Sequence, residues 1–204
     1  MDPRWKHPFT CVIAGPTGSG KTVWVKKFIQ HIQSVMSPTP EEIIWCYGEW
    51  QPVYDELSGV VRFIEGLPTE QEQGHKRRLM IIDDLMAETD DRVTKLFTKG
   101  SHHRNLSVMY IVQNLFGKNK EQRTISLNSH YLVIFKNPRD ASQITNLAKQ
   151  IYPGKVKYVQ ESYKDATSVP YGYLLIDLRQ DTPDHLRLRT AMFPGEYQTV
   201  YLQK

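Results

Sequence analysis

Near the start of the chain, Gly15-Pro16-Thr17-Gly18-Ser19-Gly20-Lys21-Thr22 fits the spacing G-x-x-x-x-G-K-[ST] at every position. Each residue type has a use at that spacing. A polyphosphate needs hydrogen-bond donors from several directions at short range. Backbone N–H groups supply them only where no side chain blocks the approach, and glycines at 15, 18 and 20 leave that approach open. The helix that follows would then turn its N-terminus toward the phosphates. Lys21 would bridge the β- and γ-phosphates, and the Thr22 hydroxyl would ligate Mg2+. Apolar TCVIA precedes the motif and VWVKKFIQHI follows with helical periodicity, so it reads as a strand–loop–helix junction.

Holding a nucleotide is not hydrolysing it. Hydrolysis needs a carboxylate at the end of an apolar strand to hold the magnesium shell, and LMIID supplies Asp83 after four apolar residues. Asp84 follows at once, either as the N-cap of a following helix or as a second carboxylate that can take a proton from the attacking water. One strand further on, SVMYIVQ ends in Gln113 at the carboxyl edge of the sheet, where ligands lie in open α/β folds. An amide there can bond both the γ-phosphate and the lytic water, or can simply cap the loop that follows the strand. The leaving phosphate also needs positive charge beside it, often an arginine from a neighbouring subunit. Arg104 in KGSHHRN and Arg123 in GKNKEQRT are the two candidates, and spacing alone leaves both open. The adjacent His102 and His103 have no companion ligands in sequence and read as loop or interface residues.

The elements that must position these groups are legible as alternating short apolar runs and amphipathic stretches, the pattern of a parallel sheet with helices on both faces. Strands are predicted at Phe9–Gly15, Glu42–Tyr47, Arg78–Asp84, Ser107–Gln113 and His130–Lys136. Their consecutive apolar residues suit central strands covered on both sides. Helices are predicted at Lys21–Met36, Asp91–Lys99 and Ala141–Tyr152. Tyr171–Arg179 and Leu186–Phe193 read as a C-terminal β-hairpin at the sheet edge. Nothing in the 204 residues reads as a linker, so a single domain spanning 1–204 is expected.

Composition is ordinary for a globular protein, with 40% hydrophobic and 24% charged residues. The net charge of +4 is compatible with a polyanionic partner without demanding one. Cys11 and Cys46 each lie in an apolar strand and read as buried free thiols of a reducing compartment. No apolar run is long enough to span a membrane, and MDPRWKHPFT lacks the apolar core of a secretory signal. An intracellular, non-secreted protein is expected.

With these residues placed, the chain resembles the FtsK–HerA branch of P-loop ATPases. More narrowly, it is similar to the genome-packaging ATPases of double-jelly-roll DNA viruses and of Polinton (Maverick) elements, adintoviruses included. The segments that carry the resemblance are CVIAGPTGSGKT, IIWCYGEWQPVYDEL, MIIDDLM, LFTKGSHHRNLSVMYIVQN, LNSHYLVIFKNPRD, YGYLLIDL and RLRTAMFP, which span essentially the whole chain. The resemblance implies a three-layer, RecA/ASCE-like α/β fold with a mostly parallel central sheet. It implies a hexameric or pentameric homo-oligomeric ring that hydrolyses ATP with Mg2+. Such a motor drives double-stranded DNA, independent of sequence, into a preformed capsid through a capsid or portal-vertex partner, in the host nucleus or virion. It assigns phosphate binding to Gly15–Thr22, metal to Thr22 and Asp83, water activation to Asp84, sensing to Gln113, and the trans-acting arginine to Arg104 rather than Arg123. Asp84 departs from cellular translocases, which usually carry glutamate there.

No segment of these 204 residues reads as a DNA-guiding domain of the cellular kind, so DNA contact is expected from loops of the core. HKRR (His75–Arg78), GKNKEQR (Gly117–Arg123) and the pair Lys155 and Lys157 are the basic candidates for phosphate contact. Two other functions compete. A small-molecule kinase would need an acceptor pocket and an arginine-bearing lid, and a strand ending in Gln113 is unlike it. A nucleotide-dependent regulatory binding module is the other, and its GTP-switch form would need N-K-x-D, whereas FKNPRD sets Lys136 before Asn137 in the reverse order.

Overall fold

In the computed structural model, residues 2–68, 76–83, 91–100, 105–116 and 120–203 are described. The strands are β1 (Trp5–Lys6), β2 (Thr10–Ala14), β3 (Met36–Ser37), β4 (Glu42–Tyr47), β5 (Arg62–Glu65), β6 (Arg78–Asp83), β7 (Leu106–Val112), β8 (Tyr131–Phe135), β9 (Tyr173–Asp177), β10 (Leu188–Thr190) and β11 (Thr199–Val200). The α-helices are α1 (Lys21–Gln30), α2 (Ile32–Val35), α3 (Asp91–Lys95), α4 (Lys120–Leu127), α5 (Ser142–Ile151) and α6 (Val156–Ala166).

Nine strands form one sheet in the order β11-β10-β9-β8-β2-β7-β6-β4-β5. From β8 across to β5 every pairing is parallel, and β9, β10 and β11 extend the other side antiparallel. All five residues of β2 are buried, because alternate side chains enter cores on opposite faces. Cys11 and Ile13 pack with Trp24, Phe28 and Met109 on one side. Val12 and Ala14 pack with Val108, Leu132 and Leu147 on the other. The result is the expected three-layer α/β arrangement. Chain order reverses around β2, whose neighbours are β7 and β8, and such a reversal opens a crevice at the carboxyl ends of the strands.

The five predicted central strands appear within a residue or so of their expected bounds. Tyr171–Arg179 and Leu186–Phe193 become antiparallel β9 and β10, with β11 added outside them. Cys11 and Cys46 are both buried, and neither forms a disulfide. The helix expected over Lys21–Met36 appears as α1 and α2, broken at His31 and ending at Val35, and Met36-Ser37 pair in parallel with Trp5-Lys6 as a small second sheet. Burial decides this: Trp5 and Met36 are both buried, and the Trp5 ring stacks on Tyr131 at 4.0 Å between centroids. Within Asp91–Lys99 the α-helix ends at Lys95, and Leu96–Gly100 continue as a π-turn.

Three elements had no strong sequence pattern. α6 is polar along most of its length and buries only Val159, Ser162 and Ala166. β5 is an edge strand with no fully buried residue. GKNKEQR, expected as a loop, enters α4 from Lys120 onward because Ile125 and Ser126 of the same segment are buried.

Candidate functional site

The phosphate loop leaves the sheet at its centre. The Gly15 N–H donates to the Val112 carbonyl at 3.2 Å, which ties the loop's first residue to the end of β7. A Cβ at Gly15 would lie 2.7 Å from the Cβ of Phe135 and from Ser19 Oγ, so only glycine passes between β7 and β8. Gly18 and Gly20 hold φ of 78° and 99°, the left-handed region that side chains avoid. Gly20 then begins α1, its carbonyl accepting the Trp24 N–H at 2.9 Å. α1 has no side-chain cap and no acidic residue in its first turn. Its first N–H groups thus face the loop with the positive end of the helix dipole behind them, an arrangement suited to an anion.

Lys21 folds back over this loop. Its Nζ donates to the carbonyls of Gly15 at 2.6 Å and Pro16 at 3.0 Å, so the ammonium sits over the concavity the loop encloses. Ser19 Oγ is buried there with no hydrogen-bond partner among the described residues, a polar group fitted to an anion's oxygen. Asp83 ends β6 at 3% exposure. Its Oδ2 accepts from the Thr22 hydroxyl at 3.5 Å and from the Tyr54 hydroxyl at 2.8 Å. A buried carboxylate and a hydroxyl side by side are hard oxygen ligands of the kind Mg2+ takes, with phosphate oxygens and water to complete the shell. The residues present therefore fit a magnesium nucleotide.

Gln113 follows Val112 directly, and β7 pairs with β2 as Ala14 opposite Val112, so its exposed amide stands beside the loop. Lys21, Thr22, Asp83 and Gln113 line one cleft of about 880 Å³. The cleft continues past Val23 to a turn after α6 and to the C-terminal segment. Burial pushes the phenol of Tyr173, one of the tyrosines lining the cleft, up to about 12 and raises that of Tyr201, another, so these two stay neutral at physiological pH.

Asp84 and Arg104 lie outside the described residues, as do His75, His102, His103 and residues 117–119. The basic segments fare unevenly. Arg78 is buried at 6% exposure as the first residue of β6, which removes it from a solvent-facing patch. Arg77 reaches inward to the Thr39 carbonyl at 3.1 Å. Arg123 is exposed on α4 and does not line the cleft. Lys155 is exposed and bonds Gln203; Lys157 is exposed and pairs with Glu161 at 3.7 Å.

Sequence spacing gave no sign of Tyr54. It lies on a 3-10 turn, Pro52–Leu57, beyond β4, with its ring packed on Trp45 and Phe63 at 5.1 and 5.2 Å between centroids. That packing fixes the hydroxyl on Asp83 Oδ2, the same oxygen that Thr22 bonds. Tyr54→Phe removes a hydrogen bond to a charged acceptor while keeping the ring. It is expected to weaken magnesium-dependent nucleotide turnover about tenfold, as loss of an outer-shell partner usually does. A magnesium titration of the rate checks this. The half-saturating concentration should rise, whereas a purely structural ring would leave it unmoved.

The fold and the loop together define a P-loop NTPase fold: α/β, with a mostly parallel sheet and the phosphate loop at its centre. No protein-family model matches the chain, and no curated protein matches it. Among solved structures it is similar to the genome packaging NTPase B204 of Sulfolobus turreted icosahedral virus 2. The sulfate complex of that protein has a TM-score of 0.59 at 12% identity, over 96% of this chain and 96% of that one. The ATP-gammaS complex gives 0.56 at 13% identity over 99% and 98%, and the AMP complex 0.59 at 14% over 89% and 96%. At such identities the likeness is one of fold.

Proposed function

We propose that this chain is the ATPase of a genome-packaging motor, a homo-oligomeric ring that hydrolyses ATP to translocate double-stranded DNA into a preformed viral capsid. The observation that carries the reading is the convergence of Lys21, Thr22, Asp83 and Gln113 on one cleft at the sheet's reversal point. The similarity in fold, over nearly the full length of both chains, to a viral genome packaging NTPase crystallised with ATP-gammaS and AMPPCP supports it.

In this reading the loop amides and Lys21 hold the β- and γ-phosphates. Thr22 and Asp83 hold Mg2+, which neutralises charge on the phosphate oxygens. Asp84 takes a proton from water as the water oxygen bonds to the γ-phosphorus and the bond to the β-bridging oxygen breaks. Gln113 orients that water, and Arg104 of a neighbouring protomer offsets the developing charge. DNA contact falls to exposed basic residues, among them Lys76, Lys157 and Arg123. Assembly takes place at the capsid or portal vertex, in the host nucleus or the virion.

The test measures phosphate release with and without duplex DNA, together with the assembly mass of an Asp84→Asn variant in ATP and DNA. Turnover is expected to rise severalfold on adding duplex of any sequence, and to lose that stimulation with salt. The variant is expected to form a ring that binds but does not turn over. A chain that stays monomeric at high concentration, with turnover indifferent to DNA, rules the motor out.

A further inference from the structure

Beyond the phosphate loop, the same cleft collects exposed apolar side chains that the core does not use. Tyr171 is 72% exposed and Tyr197 is 97% exposed, and Val23 and Val169 are exposed beside them. Tyr171 also holds φ of 59°, a region that aromatic residues rarely occupy. Three non-glycine residues among those described have positive φ, and two of them, Tyr171 and Ala191, line this cleft. Strain kept at an exposed aromatic, with no burial in return, marks a functional position.

The turn that creates the strain is closely determined. A Cβ at Gly172 would lie 2.4 Å from the Ala166 carbonyl oxygen, and the Gly172 N–H donates to the Val169 carbonyl at 3.1 Å. Backbone packing at the end of α6 therefore sets the direction of the residue before it. That direction brings the Tyr171 ring against the phosphate loop: a Cβ at Gly20 would meet Tyr171 Cδ1 at 3.1 Å. Tyr197 is presented by a second fixed turn. Glu196 pairs with Lys27 of α1 and accepts the Phe193 N–H at 3.1 Å. The Lys27 ammonium also sits 4.8 Å from the Phe193 ring centroid.

We propose that Tyr171, with Tyr197, forms the platform on which the base of the bound nucleotide stacks. A flat aromatic group joined to a phosphate chain is the ligand that suits exposed rings fixed beside a phosphate loop. This rests on the reading of the loop as a nucleotide site, and it supplies the base contact that no sequence motif identifies. Stacking is tolerant of base identity, which is why no recognition motif needs to accompany it.

The test measures binding of two probes to the full chain with magnesium: ATP, and inorganic tripolyphosphate, which has the phosphates and no base. Tyr171→Ala is expected to weaken ATP about tenfold and leave tripolyphosphate unchanged. Tyr171→Trp is expected to keep wild-type affinity for ATP, and Tyr197→Ala to show the same selective loss as Tyr171→Ala. Wild-type affinity for ATP in Tyr171→Ala overturns the platform, and so does an equal loss of both probes, which would mean a support role for the loop through Gly20. If the wild-type chain binds neither probe, it is the nucleotide reading that falls.

Discussion

Lys21→Met is expected to lower the rate of ATP hydrolysis about 10²- to 10³-fold, the range for removing one preorganised donor at a developing negative charge. The lysine ammonium is held over the loop by the carbonyls of Gly15 and Pro16, at 2.6 and 3.0 Å. Charged phosphate oxygens bind an ammonium more strongly than neutral carbonyls do, so the same amine is expected to pass to the phosphates with little movement of its stem. Methionine keeps the length of that stem and removes the charge. Folding should survive, because losing those bonds at a part-exposed loop costs about 1 kcal/mol and lowers Tm by about 2–4 °C. Lys21→Arg should be nearly as slow, since a planar guanidinium does not fit a niche shaped for a compact ammonium. Steady-state phosphate release beside a thermal melt separates the two effects. Either variant turning over at half the wild-type rate would remove Lys21 from the γ-phosphate.

The parts of this site that were legible in the sequence are the parts whose geometry is local. Gly15–Thr22 form one continuous turn, and the same spacing that admits a phosphate also forces the strand before it and the helix after it. Asp83 and Gln113 were legible at one remove, because an apolar run fixes where a parallel strand ends and all the carboxyl ends share one edge. Tyr54 was not, because its role depends on β4 lying next to β6 and on a 3-10 turn folding back over that edge. Tyr171 was not, because its orientation is set by a contact between Gly172 and the end of α6. The fold divides the same way. Continuous apolar strands announced themselves, whereas α6 buries few residues and β5 none completely. Helical structure ends at Val35, one residue short of its expected bound, because Met36 is buried as a strand residue against the N-terminal strand. Counting charges misled in HKRR, where Arg78 is a strand residue under the surface.

Arg104→Ala is expected to lower kcat about 10³-fold or more, with ATP affinity little changed, if this residue is the arginine that one protomer lends to another. The sheet bears on which protomer's site such an arginine would serve. Asn105, next in the chain, precedes β7 at its amino end, where its carbonyl accepts the Arg78 N–H at 3.1 Å. Gln113 and the phosphate loop lie at the other end. A seven-residue strand spans about 23 Å, several times the reach of an arginine side chain. Asn105 thus stands a strand's length from its own protomer's phosphates, and the expectation for the arginine before it in sequence is a role at another protomer's site. Mixing separates this from any effect within one chain. Lys21→Met and Arg104→Ala protomers should each be nearly inactive alone. In a heterologous ring formed from equal amounts, random assembly restores about one quarter of the sites, those pairing an intact Lys21 with a neighbour's intact Arg104. Activity near that fraction, appearing only after mixing, is the expected result. No recovery in rings shown by mass to contain both variants would place the arginine's duty elsewhere, with Arg123 the next substitution to make.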